Sequence, residues 1–235
     1  AATAFGQRGV DVVLIEKPPA FDVPCFLRGL LSNARCFDDA IGVLPQMLSS
    51  GFIYDHMYIF DRQRVLLVDH KFLLGDERVP AVCALSRRRL HDILLAAAEG
   101  AGTTVRLGLS VDKFDEGPDK VAVTFSDGSS DNFDLVAGFD GIRSTTRQHL
   151  VGSAFLPRPS GYGAWRVQVP RHPDVKGMEF LQGVGSKTGA MPLSDNLMYL
   201  FHIRPEEPGA VFAREDYVRL FQERLAQYSS SGTHI

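Results

Sequence analysis

The chain has 235 residues, 45% of them apolar and 23% charged, with a net charge of −3. Those proportions suit a globular protein of one large domain or two small ones, and they exclude the basic excess of a nucleic-acid binder. No apolar run approaches the ~20 residues of a membrane span. Cys25, Cys36 and Cys83 form no C-x-x-C pair, so no metal site is expected. An odd number of thiols without a secretory signal points to a reducing, cytoplasmic setting.

Ala1 to Gly9 reads as the back half of a helix closed by glycine, so a positioning element is expected upstream. Val10 to Ile15 is a β-branched apolar run, the pattern of a buried parallel strand, and Glu16-Lys17-Pro18-Pro19 ends it. Residues 33–50 carry apolar positions at helical spacing, with Pro45 forcing a break or restart. Asp55 to Phe60 and Val65 to Asp69 flank the polar turn Asp61-Arg62-Gln63-Arg64 and predict a hairpin. Leu90, Ile93, Leu94 and Ala97 predict a helix, with Ser86 as its N-cap. Strands are expected over 105–111, 121–125 and 133–137, then a short helix from Gly141 to Leu150. After Gly152 the pattern becomes an antiparallel sheet, with strands at 162–169, 178–182 and 197–203. An amphipathic helix follows over 215–228, and 229–235 reads as a frayed tail.

Three features carry chemistry. Glu16 stands at a strand end, where an acid accepts hydrogen bonds from the ribose hydroxyls of a dinucleotide; the plainer reading is a solvated strand-end acid. The G-x-G-x-x-G turn that normally accompanies it is absent and would fall just before Ala1. Arg87-Arg88-Arg89 opens a helix against its dipole, which a nearby pyrophosphate would relieve; a solvated basic face is the alternative. The third is the strand–turn–helix run from Asp134 to Arg147, with Asp140-Gly141 at its turn.

That run resembles the D-L-V-x-G-A-D-G-x-x-S-x-x-R signature of the FAD-dependent aromatic hydroxylases, the para-hydroxybenzoate hydroxylase-like flavoprotein monooxygenases. Phe139 replaces the usual Ala. Other stretches align in order. Gly9-x3-Val13-x2-Glu16 matches the family's second strand. Asn33-Ala34-x3-Asp38-x2-Ile41-Gly42 is similar to its N-A-L-x-x-L-x-x-L-G helix, and Ser86-Arg87-x2-Leu90-x3-Leu94 to its R-x-x-L-x-x-x-L helix. Gly161-Tyr162-x2-Trp165-Arg166 and Pro192-Leu193 with Tyr199 to Phe201 resemble strands of its substrate sheet. The resemblance covers about residues 1 to 205.

The resemblance implies an α/β fold: a Rossmann-like FAD/NAD(P)-binding domain (1–50 and 75–152, without its first strand and glycine loop) interleaved with an antiparallel-sheet substrate domain (51–74 and 153–212), then a helix and tail (213–235). It implies FAD as cofactor, NADPH or NADH and O2 as co-substrates, and hydroxylation of a small aromatic or heteroaromatic compound. Glu16, Lys17, Arg87, Val111, Asp140 and Gly141 are its cofactor-binding candidates. A base with a pKa near 7 would activate the ring, and Tyr58, His56 and His202 are candidates. Arg166 could hold a substrate carboxylate or make an inter-strand ion pair, while Trp165 and Phe201 could line a pocket or fill a core. Neither a nucleic acid nor a membrane is an expected partner, and a homodimer is an assembly the family allows. The family's later G-D-A-A-H segment is also missing, so a chain lacking both flavin segments is expected to bind FAD poorly. A flavin-dependent halogenase or reductase of the same fold and a non-catalytic flavoprotein fragment stay open.

Overall fold

The computed structural model describes residues 1–21, 27–73 and 79–228; Cys25 and the 229–235 tail lie outside the described residues. In chain order the elements are α1 (Ala2–Gly6), β1 (Val13–Glu16), β2 (Leu27–Leu31), α2 (Ser32–Ala40), α3 (Leu44–Ser50), β3 (Phe52–Tyr54), β4 (His56–Asp61), β5 (Leu66–Lys71), β6 (Val82–Ser86) and α4 (Arg87–Gly100). They continue with β7 (Thr104–Leu107), β8 (Val111–Glu116), β9 (Val121–Phe125), β10 (Ser130–Phe133), α5 (Thr145–Val151), β11 (Tyr162–Pro170), β12 (Met178–Gln182), β13 (Lys187–Pro192), β14 (Leu197–Pro205) and α6 (Tyr217–Leu225). The chain divides into two compact units, Ala1–Asp22 with Ala101–Ser160, and Val23–Gly100 with Gly161–Ile235.

In the first unit β1 lies parallel to β7, from Val13 opposite Thr104 to Glu16 opposite Leu107. β8, β9 and β10 form an antiparallel meander. Leu109, Val123 and Phe125 centre its core, with Ile15, Phe133 and Val136 packed against them. Two expectations are corrected here. The strand expected over 105–111 splits into β7 and β8 at Gly108, whose φ of 76° no extended strand adopts. The strand expected over 133–137 is displaced: the turn at Asp127-Gly128 pairs Ser130 with Thr124, so β10 closes at Phe133. Residues 134–140 then pair with no strand among the described residues.

In the second unit a small antiparallel sheet runs β2-β6-β3. β6 is fully buried from Val82 to Leu85 and runs straight into α4, where Ser86 Oγ accepts the Arg89 N–H at 3.2 Å. Pro45 sits in the first turn of α3, where its missing N–H costs nothing. The larger sheet has the order β11-β14-β13-β12-β4-β5. The β4–β5 hairpin and the later strands thus share one sheet. It is mixed rather than purely antiparallel, because β12 joins β4 in parallel, Glu179 opposite Tyr58.

Alternation along these strands separates two faces. Met198 and Leu200 of β14, Ala190 of β13, and Trp165 and Val167 of β11 share one face, and Phe221 and Leu225 of α6 cover it. Tyr199, Phe201 and Ile203 point the other way, together with Phe180, Met191 and Leu193.

Candidate functional site

The first unit gathers most of the predicted cofactor residues. Glu16 ends β1 with an exposed carboxylate whose Oε1 accepts the Lys17 N–H at 3.2 Å. Val111 opens β8, half-buried and paired with Phe125. The Asp140 turn is knit from within. Asp140 Oδ2 accepts from the Thr146 N–H at 3.0 Å, the Thr146 hydroxyl at 3.1 Å and the Thr145 hydroxyl at 3.2 Å. Ser144 caps α5 by accepting the Arg147 N–H at 2.9 Å, and Arg147 folds back to donate to the Ile142 carbonyl at 2.6 Å. Burial raises the Asp140 pKa, but hydrogen bonds from Ser144 and from the N–H and hydroxyl of Thr146 outweigh it. The carboxyl is held well below the usual carboxylate range.

Two glycines make this turn possible. Gly141 has a φ of 79°, and a Cβ built on it meets nothing within 4 Å. At Gly138 a Cβ would come within 2.6 Å of Thr146 Cβ. Asp140→Ala removes the acceptor for three exposed donors, so the expected loss is about 0.5–1.5 kcal/mol of stability, read from urea unfolding. Unchanged unfolding would show the turn to be held by other contacts. The sign with pH follows from the depressed pKa: the contribution is present above the ordinary carboxylate range and is lost as pH falls below it.

Arg87 belongs to the second unit. Its neighbours are engaged: Arg88 pairs with Asp92 at 3.4 Å, and Arg89 Nε donates to Ser50 Oγ at 3.0 Å. Arg87 is the one of the three without such a side-chain partner among the described residues.

The ring-activating candidates fall on the α6 side of the large sheet. His202 is fully buried, and neither ring nitrogen is hydrogen-bonded among the described residues. Burial, helped by Arg204 and Arg224 and opposed by Glu206, pushes it down to about 4. Tyr58 pairs with Glu179, and Glu179 with Ala190, which sets both on that side. Burial and then Asp69, Asp55 and Glu179 push the Tyr58 phenol up, away from 7. His56 Nδ1 meets Asp69 at 2.6 Å and stacks on Tyr58 at 5.6 Å. Trp165 lies under the Arg224 guanidinium at 4.0 Å, in contact with Phe212 and Tyr217. Arg166 pairs with Phe201 on the opposite face. Burial raises the Tyr199 phenol on that face, and Arg166 pulls against the rise. Lys187 shares this face, its ammonium 5.9 Å from the Phe180 ring, and no sequence signal marked it. Among the described residues no cluster of His, Cys, Asp or Glu could hold a metal ion, and no helix is long and apolar enough to cross a membrane.

The first unit thus carries a parallel strand pair ending in an acid and an Asp-Gly turn running into a capped helix, and the second an aromatic-faced mixed sheet. A family model described as FAD binding domain matches residues 1–210, and the chain belongs to that family. It is 30% identical to the 2-heptyl-3-hydroxy-4(1H)-quinolone synthase of Pseudomonas aeruginosa over 213 residues, 88% of this chain and 54% of that protein. It is also 30% identical to the 6-hydroxynicotinate 3-monooxygenase of Bordetella bronchiseptica over 182 residues, 76% of this chain and 47% of that one. A variant of HpxO from Klebsiella pneumoniae in complex with FAD superposes with a TM-score of 0.83 at 25% identity, covering 97% of this chain and 59% of that one. The chain spans about half the length of the curated relatives it matches.

Proposed function

We propose that the protein is an FAD-dependent monooxygenase that hydroxylates a small aromatic or heteroaromatic compound with NAD(P)H and O2 in the cytoplasm. The observation that carries this reading is the family match over residues 1–210, together with the hydrogen-bonded Asp140 turn. The relatives named above carry a quinolone and a hydroxynicotinate in their names.

The residues present fit FAD. The exposed Glu16 carboxylate at the end of β1 suits the adenosine ribose hydroxyls, with Lys17 beside it. The Val111 backbone would meet the adenine, and Arg87 would supply a cation to the flavin end. The Gly141 backbone, with open space where a side chain would stand, admits close approach of the cofactor. Bound FAD would supply the electron transfer and oxygen activation. The chain's own residues bind it and fix its orientation; Asp140, kept ionised by its three donors, presents a fixed negative charge rather than a proton donor. In this reading segments 1–50 and 75–152 serve the cofactor, and 51–74 and 153–212 the substrate.

The test is purification of the product of the complete reading frame. The expected protein is yellow, releases FAD on heating, and oxidises NADH or NADPH faster when an aromatic substrate is added, with one oxygen incorporated. A colourless protein that fails to take up FAD overturns the reading. A halogenated product formed only with halide would reassign it to the halogenase branch.

A further inference from the structure

β5 closes one end of the large sheet, and among the described residues no strand lies on its outer side. Every residue from Leu66 to Lys71 is exposed. Which backbone groups face the open edge follows from the pairing on the inner side. The Phe72 N–H donates to the Asp55 carbonyl at 2.8 Å, so Phe72, His70 and Val68 turn their N–H and C=O groups toward β4. Asp69 and Lys71 alternate with them and turn theirs outward. The ladder skips Leu67, pairing Ile59 with Val68 and Phe60 with Leu66, and this bulge bounds the regular edge at Val68.

A second copy of the strand can add to such an edge only in certain registers. Antiparallel pairing sets outward-turned residues opposite outward-turned residues. With a two-fold axis at His70, Asp69 stands opposite the partner's Lys71, and Val68 opposite the partner's Phe72. Moving the axis to Asp69 sets that carboxylate against its own copy, and moving it to Lys71 does the same with the ammonium. Opposite charges across a ladder are favourable and like charges unfavourable. The charges therefore select the register centred on His70.

Both side chains already touch β4 or the residue before it. Asp69 meets His56 at 2.6 Å, and Lys71 meets Asp55 at 3.4 Å. These are surface pairs, with Asp69 48% and Lys71 63% exposed. A carboxylate has a second oxygen and an ammonium has several donors, so each accommodates a further partner without giving up the first.

We propose that β5 is a self-pairing edge, at which two copies of the chain associate antiparallel about an axis at His70. The large sheet then runs on from one copy into the other. The main chains of Asp69 and Lys71 exchange N–H···O bonds across the axis, and the contacts between Asp69 and the partner's Lys71 fix the register. So short an edge belongs with the smaller interfaces, and the expected dissociation constant is on the order of 10 µM. The edge lies within one unit and is independent of the flavin reading.

The experiment is sedimentation velocity on the product of the complete reading frame, loaded from about 1 to about 200 µM. The expected result is a monomer–dimer equilibrium. Asp69→Lys and Lys71→Asp each weaken self-association by at least roughly tenfold, because each sets like charges across the axis. Mixed in equal amounts, the two variants associate as the parent does, since every charge of one then faces its opposite in the other. That recovery also shows both variants to be folded. In hydrogen exchange the Asp69 and Lys71 amides gain protection as concentration rises, whereas the His70 amide, already turned to β4, does not. A parent that stays monomeric to about 200 µM, variants that dimerise alone like the parent, or a mixture that stays monomeric overturns the proposal. Dimers without concentration-dependent protection at Asp69 and Lys71 place the contact elsewhere and overturn it as well.

Discussion

Replacing Arg35 alone by leucine lowers stability by about 3–5 kcal/mol, whereas replacing Arg35 and Asp38 together by leucine leaves the protein as stable as the parent or more so. Arg35 is 0% exposed and Asp38 is 7% exposed, one turn apart on the same side of α2. Arg35 Nε, Nη1 and Nη2 and Asp38 Oδ2 have no hydrogen-bond partner among the described residues. Burial lowers the Arg35 pKa and raises that of Asp38, and each charge opposes the shift of the other. Asp38, after Cys83, helps to hold the buried Arg35 charge, and Arg35 in turn that of Asp38. The resembled helix N-A-L-x-x-L carries leucine at both positions, so the double substitution restores an apolar face. In thermal unfolding the single change should cost about 2–4 °C per kcal/mol for a chain of this size. A double variant as unstable as the single one would show that the two charges do not act as a pair.

Between pH 6.5 and pH 4 the protein loses roughly 3 kcal/mol of stability through His202 alone. The ring is held at about 4 in the folded state by burial and by Arg204 and Arg224, with Glu206 opposing. An unfolded histidine takes its proton near 6.5. Between those values the unfolded state binds more protons, so stability rises with pH; it is complete above 6.5 and lost as pH falls through 4. The ring packs edge-on to Tyr228 at 5.9 Å and is fully buried, so an imidazolium there would be poorly solvated. Comparing His202→Leu with the parent isolates this contribution from titrating carboxylates. Parallel pH curves for the two proteins would refute it.

Much of the frame was legible because local chemistry and tertiary structure agree. The α4 helix announces itself by spacing and by Ser86, and the structure shows that cap. The β4–β5 hairpin is marked by its polar turn, where Asp61 Oδ1 accepts the N–H groups of Gln63 and Val65. β6 was not legible: Val82 to Leu85 runs into α4 with no turn residue to separate them. β13 was hidden by Gly189 and Pro192, residues that read as breakers and are used here for clearance and termination. At the candidate site, Asp140 and Glu16 could be picked from residue type and spacing. The faces of the large sheet could not. Leu197 to Ile203 is apolar on both sides apart from His202, so only its pairing with β11 and β13 separates His202 from Phe201. Lys187 escaped notice for the same reason.

The parallel seam between β4 and β12 also bears on how the chain assembles during synthesis. Tyr58 meets Glu179, a partner about 120 residues downstream. At ribosomal rates of about 5–20 residues per second, the hairpin emerges some 6–24 s before the strand that seats it. Throughout that interval the hairpin is open on both sides, at β4 because β12 is still missing and at β5 because it ends the sheet, where Leu66, Leu67 and Val68 stay 50%, 57% and 41% exposed even when the sheet is finished. Slower translation of residues 72–178 should therefore lower the soluble yield, and a lysine at Leu67 should restore it by blunting the edge.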